Sequence, residues 1–269
     1  MSARSIRALL DLARWENALI ASLGVLFGAW WVGWGSEPPI AFAMLAALPL
    51  TAAANAWNDI ADVAIDRRAH PARPLPSGRV SPATAQRFAA FAALAGVLLA
   101  SGADAQLGVL TVLVVAVMYA YNAGLKRAGL IGNVTVAILA SLPFLYGGWA
   151  AGRPAKALVL VAIAAPLHFA REIAKDIEDA PADAASRDTL PVAGGHDVAA
   201  AVLVASLVVF VLLLIPYAIA QPLLALALIP AAGLVAYAAW CVVKGRRGSP
   251  LVFKIAMVCT MGAFVVVHH

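Results

Sequence analysis

Long apolar stretches separated by short, mostly basic connections run through almost the whole chain, and this pattern leaves few folds open. A helix that crosses a bilayer needs about 20 mostly apolar residues. The stretches 18–34, 39–57, 84–101, 104–122, 129–150, 155–172, 197–218, 221–243 and 250–267 are of that order. They predict an all-α, polytopic membrane helix bundle of about nine transmembrane helices, forming one integral-membrane domain over residues 1–269. Only 12% of the residues are charged and 63% are hydrophobic, whereas a soluble domain carries about 25% charged residues. Segment 18–34 reads as a retained span, because no small-residue cleavage site follows it before a soluble domain.

Orientation is read from the positions of Lys and Arg. Under this division Arg4, Arg7 and Arg14, then Arg67, Arg68, Arg73 and Arg79, then Lys126 and Arg127, the 171–196 region, and Lys244 to Arg247 fall on one side. The other side holds only Arg153 and Lys156. The positive-inside rule makes the richer side cytoplasmic and, with nine helices, puts His269 outside. Those loops account for the net charge of +5 without a nucleic-acid partner; basic juxtamembrane loops set topology or touch anionic lipid. Cys241 and Cys259 lie in or beside apolar segments, have no metal-site spacing, and read as packing residues. No chemistry is assigned to His268 and His269.

Two acidic runs break the apolar pattern, at Asn58, Asp59, Asp62 and Asp66 and at Glu172, Asp176, Glu178, Asp179 and Asp183. They contain most of the fourteen acidic residues of the chain. Carboxylates beside a membrane core are costly and are usually held by something cationic. Asn58, Asp62 and Asp66 recur every four residues, so a continuing helix presents them on one face. Glu172, Asp176, Asp179 and Asp183, spaced by four, three and four, do the same. One such stripe alone is more often a solvated face or a set of salt bridges. Two in corresponding places point to a divalent-metal site, since Mg²⁺ is typically shared between one or two carboxylates and substrate phosphates. Each run is followed by a Leu-Pro pair, Leu75-Pro76 and Leu190-Pro191, a faint internal echo of the kind found in membrane bundles whose sites lie between halves. Arg73, Lys126 and Arg127, topology markers when taken singly, become candidate phosphate ligands beside these stripes. The turn at 75–78 reads as a helix-ending loop.

The residues carry a resemblance. Asn58, Asp59, Asp62 and Asp66, with Arg73-Pro74-Leu75-Pro76-Ser77-Gly78 soon after, resemble the first signature of the UbiA superfamily of intramembrane prenyltransferases. The second run is similar to that superfamily's second aspartate-rich motif, with Glu172, Asp179 and Asp183 on its aspartate positions. Arg171-Glu172, Lys175-Asp176, Glu178-Asp179, Tyr119-Ala120-Tyr121-Asn122, Lys126-Arg127 and Gly132-Asn133 resemble the branch that contains digeranylgeranylglyceryl phosphate synthase. The resemblance covers almost the whole chain. It departs at Arg14-Trp15-Glu16-Asn17, where the usual proline is missing, and at Ala182, where the branch has glycine.

The resemblance implies an Mg²⁺-dependent enzyme that moves a prenyl group, geranylgeranyl in this branch, from its diphosphate to a lipid-like acceptor such as geranylgeranylglyceryl phosphate. Metal ligands would come from Asp59, Asp62, Asp66, Asp176, Asp179 and Asp183, of which Asp62, Asp66, Asp179 and Asp183 carry the catalytic assignment. Substrate contacts would come from Asn17, Asn58, Arg73, Tyr121, Lys126, Arg171, Glu172 and Lys175. An aromatic or quinone-precursor acceptor, a terpene cyclase that ionises the same donor, and a non-enzymatic transporter are the alternatives. Transporters place ionisable residues near mid-membrane, and here they lie at helix ends.

Overall fold

A computed structural model describes residues 3–183 and 188–267, and Arg187, His268 and His269 lie outside it. Its regular structure is helical throughout, with no strand among the described residues. The helices are α1 (Ala3–Ala13), α2 (Trp15–Trp31), α3 (Glu37–Ala69), α4 (Pro82–Ala103), α5 (Ala105–Ala123), α6 (Leu130–Ala150), α7 (Pro154–Asp183), α8 (Leu190–Ala220), α9 (Pro222–Ala227), α10 (Ile229–Val243) and α11 (Ser249–Val267). Seven of them, α3 to α8 and α11, are long and apolar enough to cross a membrane.

Each apolar stretch of the sequence is helical, but two of the nine fall short of a full span. The stretch 18–34 becomes the 17-residue α2, because the chain leaves the helix after Trp31. The stretch 221–243 is broken at Leu228 into α9 and α10. Pro230 explains that break, since it has no N–H to give to the preceding turn.

Two helices are longer than expected, and that matters for the site. The second stretch, read as 39–57, is the 33-residue α3, so the whole first acidic run stands on one continuous helix. The second run likewise stands on the 30-residue α7, in keeping with its one-face spacing. Around Leu75 and Pro76 the chain forms turns, as expected. At Leu190 and Pro191 it begins α8, which kinks at Gly195, where φ is 81°. A left-handed φ of that kind suits glycine. The two Leu-Pro corners therefore differ in structure.

The chain divides into two compact units. The first comprises residues up to Lys126 together with 142–160, and the second comprises 127–141 with 161 onward. In the first unit α3 packs on α1, α2, α4 and α5. Its core is built from small residues and a few large ones, including Val25, Ala43, Ala46, Leu107 and Tyr146. Glycine brings α2 and α6 into backbone contact: a Cβ on Gly28 would stand 2.1 Å from the Phe144 carbonyl oxygen, and one on Gly147 would stand 1.9 Å from that of Val25. Small residues serve this purpose between membrane helices, where packing rather than water exclusion drives association.

In the second unit α10 packs on α11 and α8, and α9 on α8 and α11. Ile173, Leu203 and Phe253 are fully buried there. Ser206 Oγ donates to the Pro166 carbonyl at 2.7 Å, tying α8 to α7. The His196 ring nitrogen Nε2 lies 3.0 Å from the Val242 carbonyl oxygen, which fixes α8 just past its kink to the end of α10.

Candidate active site

The first acidic stripe occupies the last three turns of α3. Asp59, Asp62 and Asp66 are 1%, 8% and 3% exposed, so none is a solvated surface charge. Each is matched by a cation from elsewhere in the first unit. Asp59 pairs with Arg14, the residue between α1 and α2. Asp62 pairs with Lys126, which follows α5. Both oxygens of Asp66 accept from Arg73 Nη1, at 2.7 and 2.6 Å. A buried carboxylate without such a partner would be very costly, which is why the loops around this helix end are basic.

Asn58 joins the stripe to Lys126 a second time. Its Oδ1 accepts from Lys126 Nζ at 2.7 Å, while its Nδ2 donates to Asp62 Oδ2 at 3.3 Å. Lys126 thus sits over a small oxygen-rich patch, with side-chain exposures of 11% for both Lys126 and Asp62. The patch presents oxygen donors only, the type that suits Mg²⁺. Its two carboxylates are one helical turn apart, and the amide of Asn58 lies a further turn back.

Arg14 has a second distinction. Its backbone is left-handed, with φ 49° and ψ 60°, a conformation uncommon outside glycine. Asn55 Nδ2 donates to the neighbouring Ala13 carbonyl at 2.8 Å and helps hold this junction against α3. Asp11 on α1 pairs with Arg79, and Asp11, His70, Arg73 and Arg79 help line an open pocket of about 510 Å³ at the turn after α3. The charged end of α3 is therefore fixed from three directions: by α1, by the turn at 70–80 and by the segment after α5.

The second stripe is arranged differently. Glu172 is buried and accepts from Arg171 Nη1 at 2.5 Å and from Lys175 Nζ at 2.8 Å, both on its own helix. Asp176 accepts from Asn133 Nδ2 of α6 at 2.8 Å. Glu178 accepts from the Gly248 and Ser249 amides, at 2.8 and 3.1 Å, and from Ser249 Oγ at 3.0 Å. Those bonds place a carboxylate at the N-terminus of α11, where the first amides have no helical partner. Asp179 is exposed. Asp183 ends α7, and its side chain, like that of Arg127, lies outside the described ones.

In the first unit the structure therefore gathers two bonded groups at the end of α3, Asn58 with Asp62 and Lys126, and Asp66 with Arg73. Glu172, Arg171 and Lys175 form a cluster of the second. Asn17 is half-buried on the first turn of α2, and Tyr121 is half-buried near the end of α5. Among the described residues no group of three or more carboxylate, His or Cys side chains is gathered closely enough to hold a metal on its own. Two residues carried more than the sequence reading gave them. Arg14 was a topology marker there, and Asn133 only part of a motif; Asn133 is 8% exposed and bound to Asp176, and a buried amide beside an acidic run is the signal that could have found it.

The sequence model of the UbiA prenyltransferase family matches residues 19–261. A digeranylgeranylglyceryl phosphate synthase of Methanopyrus kandleri is 37% identical over 268 residues, covering 97% of this chain and 98% of the relative. A solved structure of a digeranylgeranylglyceryl phosphate synthase in membranes is 26% identical, with a TM-score of 0.74 over 98% of both chains. A UbiA homolog from Archaeoglobus fulgidus bound to GPP and Mg²⁺ has the same fold, with a TM-score of 0.73 over 97% of this chain and all of that one, at 16% identity.

Proposed function

The chain belongs to the UbiA prenyltransferase family, and on that premise we propose that it transfers a geranylgeranyl group from its diphosphate to the hydroxyl of geranylgeranylglyceryl phosphate, with Mg²⁺ as cofactor. The observation that carries the reading is the pair of bonded groups at the end of α3, Asn58 and the buried Asp62 with Lys126, and the buried Asp66 with Arg73. It joins oxygen ligands for a hard cation to two cationic side chains able to hold phosphate oxygens.

Asp62, Asp66, Asp179 and Asp183 would hold the metal in this proposal, with Asp59 and Asp176 as further candidate ligands. When bound, Mg²⁺ neutralises charge on the diphosphate and makes it a better leaving group. Lys126 and Arg73, which pair with Asp62 and Asp66 in the structure, would supply cationic contacts to the phosphate oxygens. Asn58 orients an oxygen in the same patch. Apolar helix faces exclude water from the allylic cation, so that the acceptor rather than solvent captures C1. Arg171 and Lys175 hold the acceptor phosphate, and Asn17 and Tyr121 complete the substrate contacts.

The basic connections face the cytoplasm in this proposal, and so does the site. The direct test incubates purified protein with geranylgeranyl diphosphate and Mg²⁺, with and without geranylgeranylglyceryl phosphate, and weighs the products. A product heavier than the acceptor by one geranylgeranyl group supports the reading. A cyclic hydrocarbon or alcohol made from the diphosphate alone overturns it.

A further inference from the structure

Two polar atoms of the first unit, on α3 and α5, have no hydrogen-bond partner among the described residues. Trp57 is 7% exposed, and its Nε1 is buried without an acceptor. Asn122 Oδ1 is buried without a donor. The orientation of the Asn122 amide is fixed by its other end, because Nδ2 donates to the Met118 carbonyl at 2.9 Å, and the reverse placement would set two oxygens against each other. Buried polar groups are bonded in the great majority of cases, and one left alone in an apolar setting is costly.

Both atoms lie in the first unit, Trp57 on α3 and Asn122 on α5. The Trp57 ring meets the Tyr119 ring edge to face, with centroids 5.8 Å apart. Tyr119 and Asn122 are three residues apart on α5 and so share a face of it. The bond to Met118 also draws the Asn122 amide back along α5 toward the turn on which Trp57 packs. Lys126, which follows α5, reaches Asn58, the residue after Trp57.

Their chemistry selects a ligand class. Indole N–H can only donate, and an amide oxygen can only accept. An ionised diphosphate offers acceptors alone and would leave Asn122 unserved. A prenyl chain would serve neither. A hydroxyl serves both: its oxygen accepts from Trp57 and its hydrogen donates to Asn122. We infer that Trp57 Nε1 and Asn122 Oδ1 bind the nucleophilic hydroxyl of the acceptor and orient its oxygen toward the prenyl carbon.

This inference rests on the proposed function and names the residues that select an alcohol as acceptor. In the step they serve, the acceptor oxygen bonds to C1 of the prenyl group as the bond from C1 to the diphosphate oxygen breaks. The diphosphate leaves with that electron pair, and the hydroxyl proton passes to the released diphosphate. Asn122 does not take the proton, because an amide is not a base; its role is to point an oxygen lone pair at C1.

The test compares wild type with Trp57→Phe, which keeps an aromatic ring against Tyr119 and removes only the N–H. Initial rates are measured with Mg²⁺ against geranylgeranyl diphosphate and geranylgeranylglyceryl phosphate in turn. Inhibition by an acceptor analogue that lacks the reacting hydroxyl is measured alongside. The expected result is an acceptor KM raised about tenfold, the scale of one hydrogen bond, with the donor KM unchanged. The inhibition constant of the deoxy analogue should be the same in both proteins, because that molecule never uses the lost contact. A second variant, Asn122→Leu, should show the same split. If Trp57→Phe lowers thermal stability but leaves acceptor and donor KM in their wild-type ratio, the atoms are bridged by structural water and the inference is wrong. Product formation by wild type with an unchanged acceptor KM in both variants overturns this inference alone, whereas no product from the alcohol in wild type overturns it together with the proposed function.

Discussion

Lys126→Met removes the ammonium group while keeping most of the side-chain volume, and the structure says what it leaves behind. Lys126 and Asp62 are each 11% exposed at the side chain, and Asn58 Oδ1 takes a second bond from the same ammonium. Breaking one partner of a buried ion pair costs about 3–5 kcal/mol, because the other charge stays buried. Asn58 Nδ2 remains near Asp62, which places the loss toward the lower end, about 3 kcal/mol. The assay is thermal unfolding of the purified protein across an Mg²⁺ titration. The variant should melt below wild type, and Mg²⁺ should raise its melting temperature more than it raises that of wild type, because Lys126 no longer competes for Asp62. Adding Asp62→Asn to Lys126→Met should recover stability, since it removes the buried charge that Lys126 had matched. Catalytically, kcat/KM for the donor should fall about 10- to 100-fold, the range of a lost charged hydrogen bond. Lys244→Ala, in the exposed connection before α11, should change none of these. Equal melting of Lys126→Met and wild type, with equal response to Mg²⁺, would refute the reasoning.

Asp179→Asn, on an exposed position, should abolish product formation without changing the melting temperature; EDTA should stop wild type and added Mg²⁺ should restore it. Glu178→Ala should lower stability by about 1–2 kcal/mol, through loss of the carboxylate at the α11 N-terminus, with both KM values unmoved. Gly147→Ala should destabilise by about 1–3 kcal/mol or more, because the new Cβ would stand 1.9 Å from a backbone oxygen, and denaturation monitored by circular dichroism would show it. Arg171→Ala should raise the acceptor KM more than the donor KM; equal rises would assign Arg171 only to holding Glu172.

Hydropathy made the helices legible because a bilayer demands long apolar runs, and every such run in this chain is helical. It did not fix where helices stop, because a charged face can continue a helix beyond the apolar part. α3 and α7 both do so, carrying their acidic runs as further turns rather than as loops. The break at Leu228 was marked by Pro230, but inside an apolar run a proline can be tolerated, as Pro49 is in α3. The i, i+4 spacing of Asn58, Asp62 and Asp66 set their common face correctly. The spacing at 172–183 did not show that Asp176 and Glu178 have separate partners, since those come from α6 and from the start of α11, far away in the sequence, while Glu172 is bound by its own helix neighbours Arg171 and Lys175.

The pairing of carboxylates with cations has a consequence for how such a site can be kept in an apolar chain. Three buried aspartates on one helix end would repel one another and resist burial if left alone. Arg14, Lys126 and Arg73 lower that cost in the resting protein, each pairing with one of these carboxylates. A divalent cation and a diphosphate arriving together bring charges of opposite sign, so each partner of a resting pair can exchange its contact for a new one without leaving a buried charge unmatched. A bare metal ion has no such balance, because it would displace Lys126 or Arg73 from a carboxylate with no phosphate to receive it. Mg²⁺ and the prenyl diphosphate should therefore bind with positive coupling, each raising the affinity for the other by the same factor. Lys126→Met removes the competitor for Asp62 and should weaken that coupling.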